Sequence, residues 1–113
     1  MPYYIVSVAF PYSDDLNKTK TRPAILVSQQ FGQFDLCVLL FATSNLLVFD
    51  LDNDIKITDY DKLNLNKVTI IKPYKLASIP HSNITQIIST IEPDSQLHDD
   101  IQSKLKSIFQ LQS

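Results

Sequence analysis

The feature that most constrains this chain is a change of period. Up to Ile91 the apolar residues fall in short β-branched or aromatic runs separated by polar turns: Ile5 to Phe10, Ala24 to Val27, Leu36 to Ala42, Ile55 to Ile57, Val68 to Ile71 and Ile84 to Ile91. Runs of that length and composition form strands. After them Leu97, Ile101, Leu105, Ile108 and Phe109 recur at three- and four-residue steps, which places them on one face of a helix. Pro93 and Asp94 suit its first turn, because proline needs no N–H there and a carboxylate complements the positive end of the helix dipole. Several short strands closed by one amphipathic C-terminal helix predict a small curled sheet or barrel of the α+β class.

No repeat, low-complexity tract or linker divides the sequence. At 113 residues, 44% hydrophobic and 19% charged, residues 1–113 read as a single domain with a sizeable core. Gly32 is the only glycine, so the turns fall to Asn, Asp, Ser and Pro. Cys37 is the only cysteine and sits in an apolar run; that excludes an intrachain disulfide and predicts a buried, inert thiol in a reduced compartment. Met1 to Tyr4 lacks the basic start and cleavage site of a signal peptide. The longest uncharged stretch, Leu36 to Phe49, falls short of the roughly 20 apolar residues a membrane helix requires. A cytoplasmic location without membrane association is expected. With a net charge of -2, any site for a polyanion has to be local.

Much chemistry is disfavoured by the inventory. His81 and His98 form no paired Cys/His pattern, so no metal is expected, and each reads as a satisfied surface or turn histidine. Asp50, Asp52 and Asp54 alternate like the start of a calcium loop, but Ile55 stands where that loop needs glycine and Asp61 where it needs glutamate; they read as a solvated acidic turn. No Gly-rich phosphate loop or nucleophile elbow occurs, and no cofactor is expected. What remains is Lys20-Thr21-Arg22-Pro23 running into the apolar strand Ala24 to Ser28. It sets a guanidinium at a strand mouth, and a guanidinium keeps its charge and offers a planar fork of donors that matches phosphate. Lys18, Lys20 and Arg22 alternate, so an extended backbone gives them one face; the other reading is a solvated hairpin loop. Further on, Phe41-Ala42-Thr43-Ser44-Asn45 brings hydroxyls out as a strand leaves the core, where a threonine also commonly bonds its own backbone.

In this order the sequence resembles the PemK/MazF toxins of bacterial toxin–antitoxin pairs. The matching elements are Phe10-Pro11-Tyr12-Ser13-Asp14 after the first strand, Arg22-Pro23-Ala24 through Ser28, and Ala42-Thr43-Ser44. Leu65 to Leu76 also follows the family's Leu-x-Lys-x-Ser-Val-Ile-Arg-x-x-Lys-Leu segment, and Ile79 to Ile91 with the terminal helix come after it in order. Tyr3 and Tyr4 stand where the family usually opens with Gly-Asp, Ala9 where an aspartate is frequent, and Ser89 where glycine is usual.

The resemblance implies an SH3-like β-barrel of the CcdB/MazF/PemK type with a C-terminal amphipathic helix, forming a homodimer whose groove binds single-stranded RNA. It implies metal-independent, sequence-selective cleavage of RNA, with the catalytic arginine on Arg22 and the catalytic threonine on Thr43. Arg22 then stabilises charge building on the phosphoryl oxygens, and protonation of the leaving oxygen is a second role open to it. Lys18, Lys20, Ser44 and Lys72 are expected to hold the RNA backbone and Tyr12 to stack a base. The general base is unassigned, with His81 an option by chemistry alone. A cognate antitoxin is the expected protein partner. A gyrase-poisoning toxin of the same fold and a catalytically silent binding module are the alternatives.

Overall fold

The computed structural model describes the backbone of residues 1–12 and 15–110, and within that span the side chains outside residues 10–20. Ser13 and Asp14, and the side chains of Tyr12, Lys18 and Lys20, therefore lie outside the described residues. Strand β1 (Tyr3–Tyr12) pairs antiparallel with β2 (Asp15–Leu26), with Tyr4 opposite Leu26 and Phe10 opposite Lys20. The segment from Asp15 to Thr21 thus belongs to β2, with a register shift where Pro11 faces Thr19 and Tyr12 faces Asp15.

The remaining strands are β3 (Leu36–Thr43), β4 (Ile55–Ile57), β5 (Thr69–Pro80) and β6 (Ile84–Ile91). They complete one antiparallel sheet in the order β4-β5-β3-β2-β1-β6. The sheet curls into a half-barrel, and its open edges are β4 and β6. β5 runs well past Ile71, where the apolar run ends, because Leu76 to Pro80 pair with Leu40 to Leu36 of β3. Leu40 pairs with Leu76 but Phe41 pairs with Lys72, so residues 73–75 bulge out of the ladder. Pro73, which has no N–H to give, sits in that bulge.

Alternation puts two apolar clusters on the two faces. Ile5, Ile25, Leu40, Ile71 and Ile91 pack with Ile101 of helix α1 (Gln96–Ile108), while Val6, Val8, Ala24 and Leu39 pack on the other side against Leu26, Ile79 and Ile84. Each fully buried aliphatic side chain contributes about 1.5–3 kcal/mol. Because the central strands are buried on both faces, their runs are continuous in apolar character.

Helix α1 starts later than its sequence suggests. Ser95 is the N-cap, its Oγ accepting the His98 N–H at 3.2 Å, so Pro93 and Asp94 precede the helix instead of forming its first turn. Leu97, Ile101 and Leu105 face the core, but Ile108 and Phe109 are 39% and 64% exposed, since the apolar pattern continues past the sheet. His98 corrects the surface or turn reading: it is buried, stacked on Tyr3 at 4.1 Å between ring centroids, with Nε2 2.8 Å from the Met1 carbonyl. Tyr3, one of the two departures from Gly-Asp, thereby ties α1 to β1. Cys37 is buried, its Sγ donating to the Ile79 carbonyl, and burial pushes its thiol pKa up. Gly32, at φ 75, serves the turn between β2 and β3 where the backbone needs a positive φ. Among the described residues no helix is long and apolar enough to cross a membrane.

Candidate functional site

β2 and β3 run side by side with Ala24 opposite Phe41. Beyond that rung, Pro23 and Arg22 on one strand and Ala42 and Thr43 on the other form the mouth of a single open pocket of about 360 Å³. Lys72 and Lys75 of β5 and Val48 of a short 3₁₀ helix (Leu46–Val48) complete its walls. Arg22 and Thr43, distant in sequence, are therefore brought together. Arg22 and Lys75 are exposed, and their side chains have no hydrogen bond or ion pair among the described residues, so both cations are available to an anion in the pocket.

Thr43 makes the local backbone bond expected of a strand-end hydroxyl and lines the pocket beside Arg22. Its Oγ1 accepts the Asn45 N–H at 3.1 Å, which uses one lone pair and leaves the hydroxyl hydrogen free to donate into the pocket. Asn45 in turn caps the 3₁₀ helix, Oδ1 accepting the Leu47 N–H at 3.1 Å. Ser44 is exposed at the strand exit and does not line the pocket.

Lys72 lies differently from the backbone-holding residue its sequence position suggests. It is buried, and its Nζ donates to Asp54 Oδ2 at 2.7 Å, to the Val48 carbonyl at 2.9 Å and to Tyr74 Oη at 3.2 Å. An ammonium has three hydrogens, so all are committed within the chain. Tyr74 Oη donates onward to Asp54 Oδ1 at 2.8 Å. The cation in the pocket floor is neutralised, and its work is to pin the Val48 wall to β5.

Asp54 likewise corrects the solvated acidic turn. It is 6% exposed, and its Oδ2 also accepts the Asp50 N–H at 2.9 Å. Burial pushes its carboxyl pKa up, but hydrogen bonds from Lys72, Asp50 and Tyr74 outweigh that and hold it below the usual value. The bond to Asp54 keeps the Lys72 ammonium pKa above its ordinary value against the opposing effect of burial. Asp50 does remain a local turn acceptor, for Asp52 N–H and Asn53 Nδ2, and these lower its pKa. Lys104 of α1 donates to the Asp52 carbonyl, and the Lys56 ammonium lies 4.5 Å from the Phe49 ring centre. Residues 45–54 are in this way a braced wall.

Neither histidine reaches the pocket. His98 is on α1, and His81 lies beside Pro80, opposite Leu36 at the far end of β3, roughly 23 Å of strand from Thr43. Among the described residues no three His, Cys, Asp or Glu side chains gather as metal ligands would. The pocket can hold an anion between Arg22 and Lys75, with the Thr43 hydroxyl as a neutral donor. Lys75, Val48, Asp54 and Tyr74 escaped sequence reasoning; only Lys75 left a signal, since it falls on the second lysine of the family pattern that Leu65 to Leu76 follows.

A curled antiparallel sheet with one C-terminal helix, carrying an arginine and a threonine at the shared mouth of two strands, is the architecture of a small toxin class. Residues 2–109 match the PemK-like, MazF-like toxins of type II toxin-antitoxin systems, and the chain belongs to that family. A toxin of this type implies a cognate antitoxin. No curated protein matches the chain.

Proposed function

We propose that the protein is a cytoplasmic toxin acting as a metal-independent, sequence-selective endoribonuclease on single-stranded RNA, as a homodimer held in check by its antitoxin. The observation that carries this reading is the convergence of Arg22, Lys75 and the Thr43 hydroxyl on one pocket, where two cations whose side chains have no partner among the described residues meet a neutral donor. A phosphodiester is the anion such a site suits: the guanidinium fork takes its two non-bridging oxygens and the ammonium shares one of them.

In the reaction the ribose 2′-oxygen attacks phosphorus, its proton passing to a base, while the bond to the 5′-oxygen breaks and that oxygen leaves protonated. The products are a 2′,3′-cyclic phosphate and a 5′-hydroxyl. Arg22 stabilises the charge that grows on the phosphoryl oxygens, a contribution worth about 3 kcal/mol for one donor at a comparable oxyanion site. Thr43 holds the phosphate by its free hydroxyl hydrogen. Lys18 and Lys20 extend the cationic strip along the RNA backbone, and Tyr12 offers a ring for a base. Leu47 and Leu51, 95% and 82% exposed, are apolar surface of the kind a protein partner covers.

The test is a single-stranded RNA with one 2′-deoxy nucleotide at the cut site. Cleavage of the all-ribose strand to a cyclic phosphate end, and none at the deoxy position, is expected. Cleavage at the deoxy position contradicts the mechanism.

A further inference from the structure

Arg22 and Pro23 also wall a second concavity, of about 470 Å³, on the β2-β1-β6 side of the sheet. Its polar lining comes from Ser7, Thr21, Asn64, Asn66 and Gln86, and its apolar wall from Leu65 and Ile88. Apart from Arg22 at the shared edge, none of these side chains is charged. The two pockets therefore differ in kind: the first is cationic and suits a phosphate, whereas the second is neutral, rich in amides and backed by aliphatic groups.

Amide side chains carry a donor and an acceptor side by side, the pattern of a nucleobase edge, and an unstacked base is read by such groups while its face packs on apolar or aromatic surface. Asn64 holds the shape, its Nδ2 donating to the Ile88 carbonyl at 3.2 Å, which ties the loop to β6 and leaves Oδ1 as an acceptor. Asn64 also adopts a left-handed backbone, φ 58, as the cap of a short 3₁₀ helix (Tyr60–Leu63). Asn66 and Gln86 are exposed, and their side chains have no hydrogen-bond partner among the described residues.

We infer that this second pocket is a nucleobase subsite, which receives an unstacked base next to the phosphate held at Arg22 and selects it through Asn66 and Gln86. The inference rests on the ribonuclease reading for its register, and it assigns part of the sequence choice to residues outside the loops that flank the cationic pocket.

The experiment uses wild type, Asn66→Ala, Gln86→Ala and the double variant against two random-sequence pools. A cleavable RNA pool is sequenced at its cut ends, and a 2′-O-methyl pool that cannot be cut is used for equilibrium binding. The expected result is that the double variant loses roughly tenfold selectivity at one nucleotide position adjacent to the cut bond, while binding to non-preferred sequences and thermal stability stay unchanged. If wild type cuts RNA and the double variant keeps the same preferences, the subsite is overturned and the ribonuclease stands. If nothing is cut but binding selectivity falls in the variant, the ribonuclease reading fails and the base pocket stands. Wild-type protein with no sequence selectivity in either pool overturns the subsite.

Discussion

Lys72 Nζ lies 2.7 Å from Asp54 Oδ2 in a buried pair that also captures the Val48 carbonyl, so one ammonium joins β5, the start of β4 and the wall of the Arg22–Thr43 pocket. Removing one partner of such a pair strands a buried charge, at a cost of about 3–5 kcal/mol. Lys72→Met is therefore expected to unfold at markedly lower denaturant than wild type, while Lys72→Met combined with Asp54→Leu recovers much of the loss, because neither charge is left alone. Chemical denaturation of the single and double variants checks this; equal losses in both contradict the strut.

The same pair sets a pH dependence. The Asp54 pKa is lowered on folding, so its contribution is present above the unfolded carboxylate value, about 4, and is lost as pH falls through the lower folded one. The Lys72 pKa is raised, so its contribution is present below about 10.4 and is lost as pH rises through the higher folded value. The contribution of this pair is expected to be constant in between, and Asp54→Asn to remove the part of the acid-side fall that belongs to this carboxyl. An unaltered acid limb in that variant sinks the assignment.

The Thr43 hydroxyl oxygen accepts the Asn45 N–H, and in the proposed reaction its hydrogen holds the phosphate. Thr43→Ser keeps donor and acceptor and is expected to retain most RNA cleavage; Thr43→Val removes both and is expected to lose roughly 10²–10³ in rate, the scale for one donor in an oxyanion site. Single-turnover rates on one substrate give the comparison. A Val variant as active as Ser contradicts the role.

Lys75, unlike Lys72, is an exposed cation of the pocket whose side chain has no partner among the described residues. Lys75→Ala is expected to weaken RNA binding and to lower the slope of log affinity against log salt by about 0.7, the single-strand value for one phosphate contact. Lys75→Ala leaving the slope unchanged means that Lys75 makes no phosphate contact.

Ser95 caps α1, its Oγ accepting the His98 N–H at 3.2 Å. Ser95→Ala is expected to cost about 1 kcal/mol of stability, whereas Ser95→Asp keeps most of it; thermal melts distinguish them. Equal melts for Ala and wild type contradict the cap.

The strands and the helix were legible because they rest on local periodicity. Ile55 to Ile57 and Ile84 to Ile91 fall on β4 and β6 end to end. β2 was read short because Asp15 to Thr21 is polar, and a strand whose hairpin partner supplies its hydrogen bonds needs no apolar run of its own. β5 was read short for a similar reason: pairing with Leu36 to Leu40 carries it beyond the Pro73 bulge. Arg22 and Thr43 were visible through the order of family motifs. The Lys72–Asp54–Tyr74 network was not, since a buried lysine and a solvated one look alike in sequence, and only the bulge at residues 73–75 brings Tyr74 back to Asp54. The packing of His98 on Tyr3 was hidden likewise, as it joins residues at opposite ends of the chain.

The central claim is that Arg22 stabilises the charge of a phosphoryl transfer that needs no metal. Its most direct test is the rate of RNA cleavage in EDTA by wild type and by Arg22→Ala, both verified as folded. Wild-type protein is expected to cut at its full rate, and the variant to be slower by roughly 10²–10³. Cleavage abolished by EDTA, or surviving unchanged in Arg22→Ala, contradicts the account.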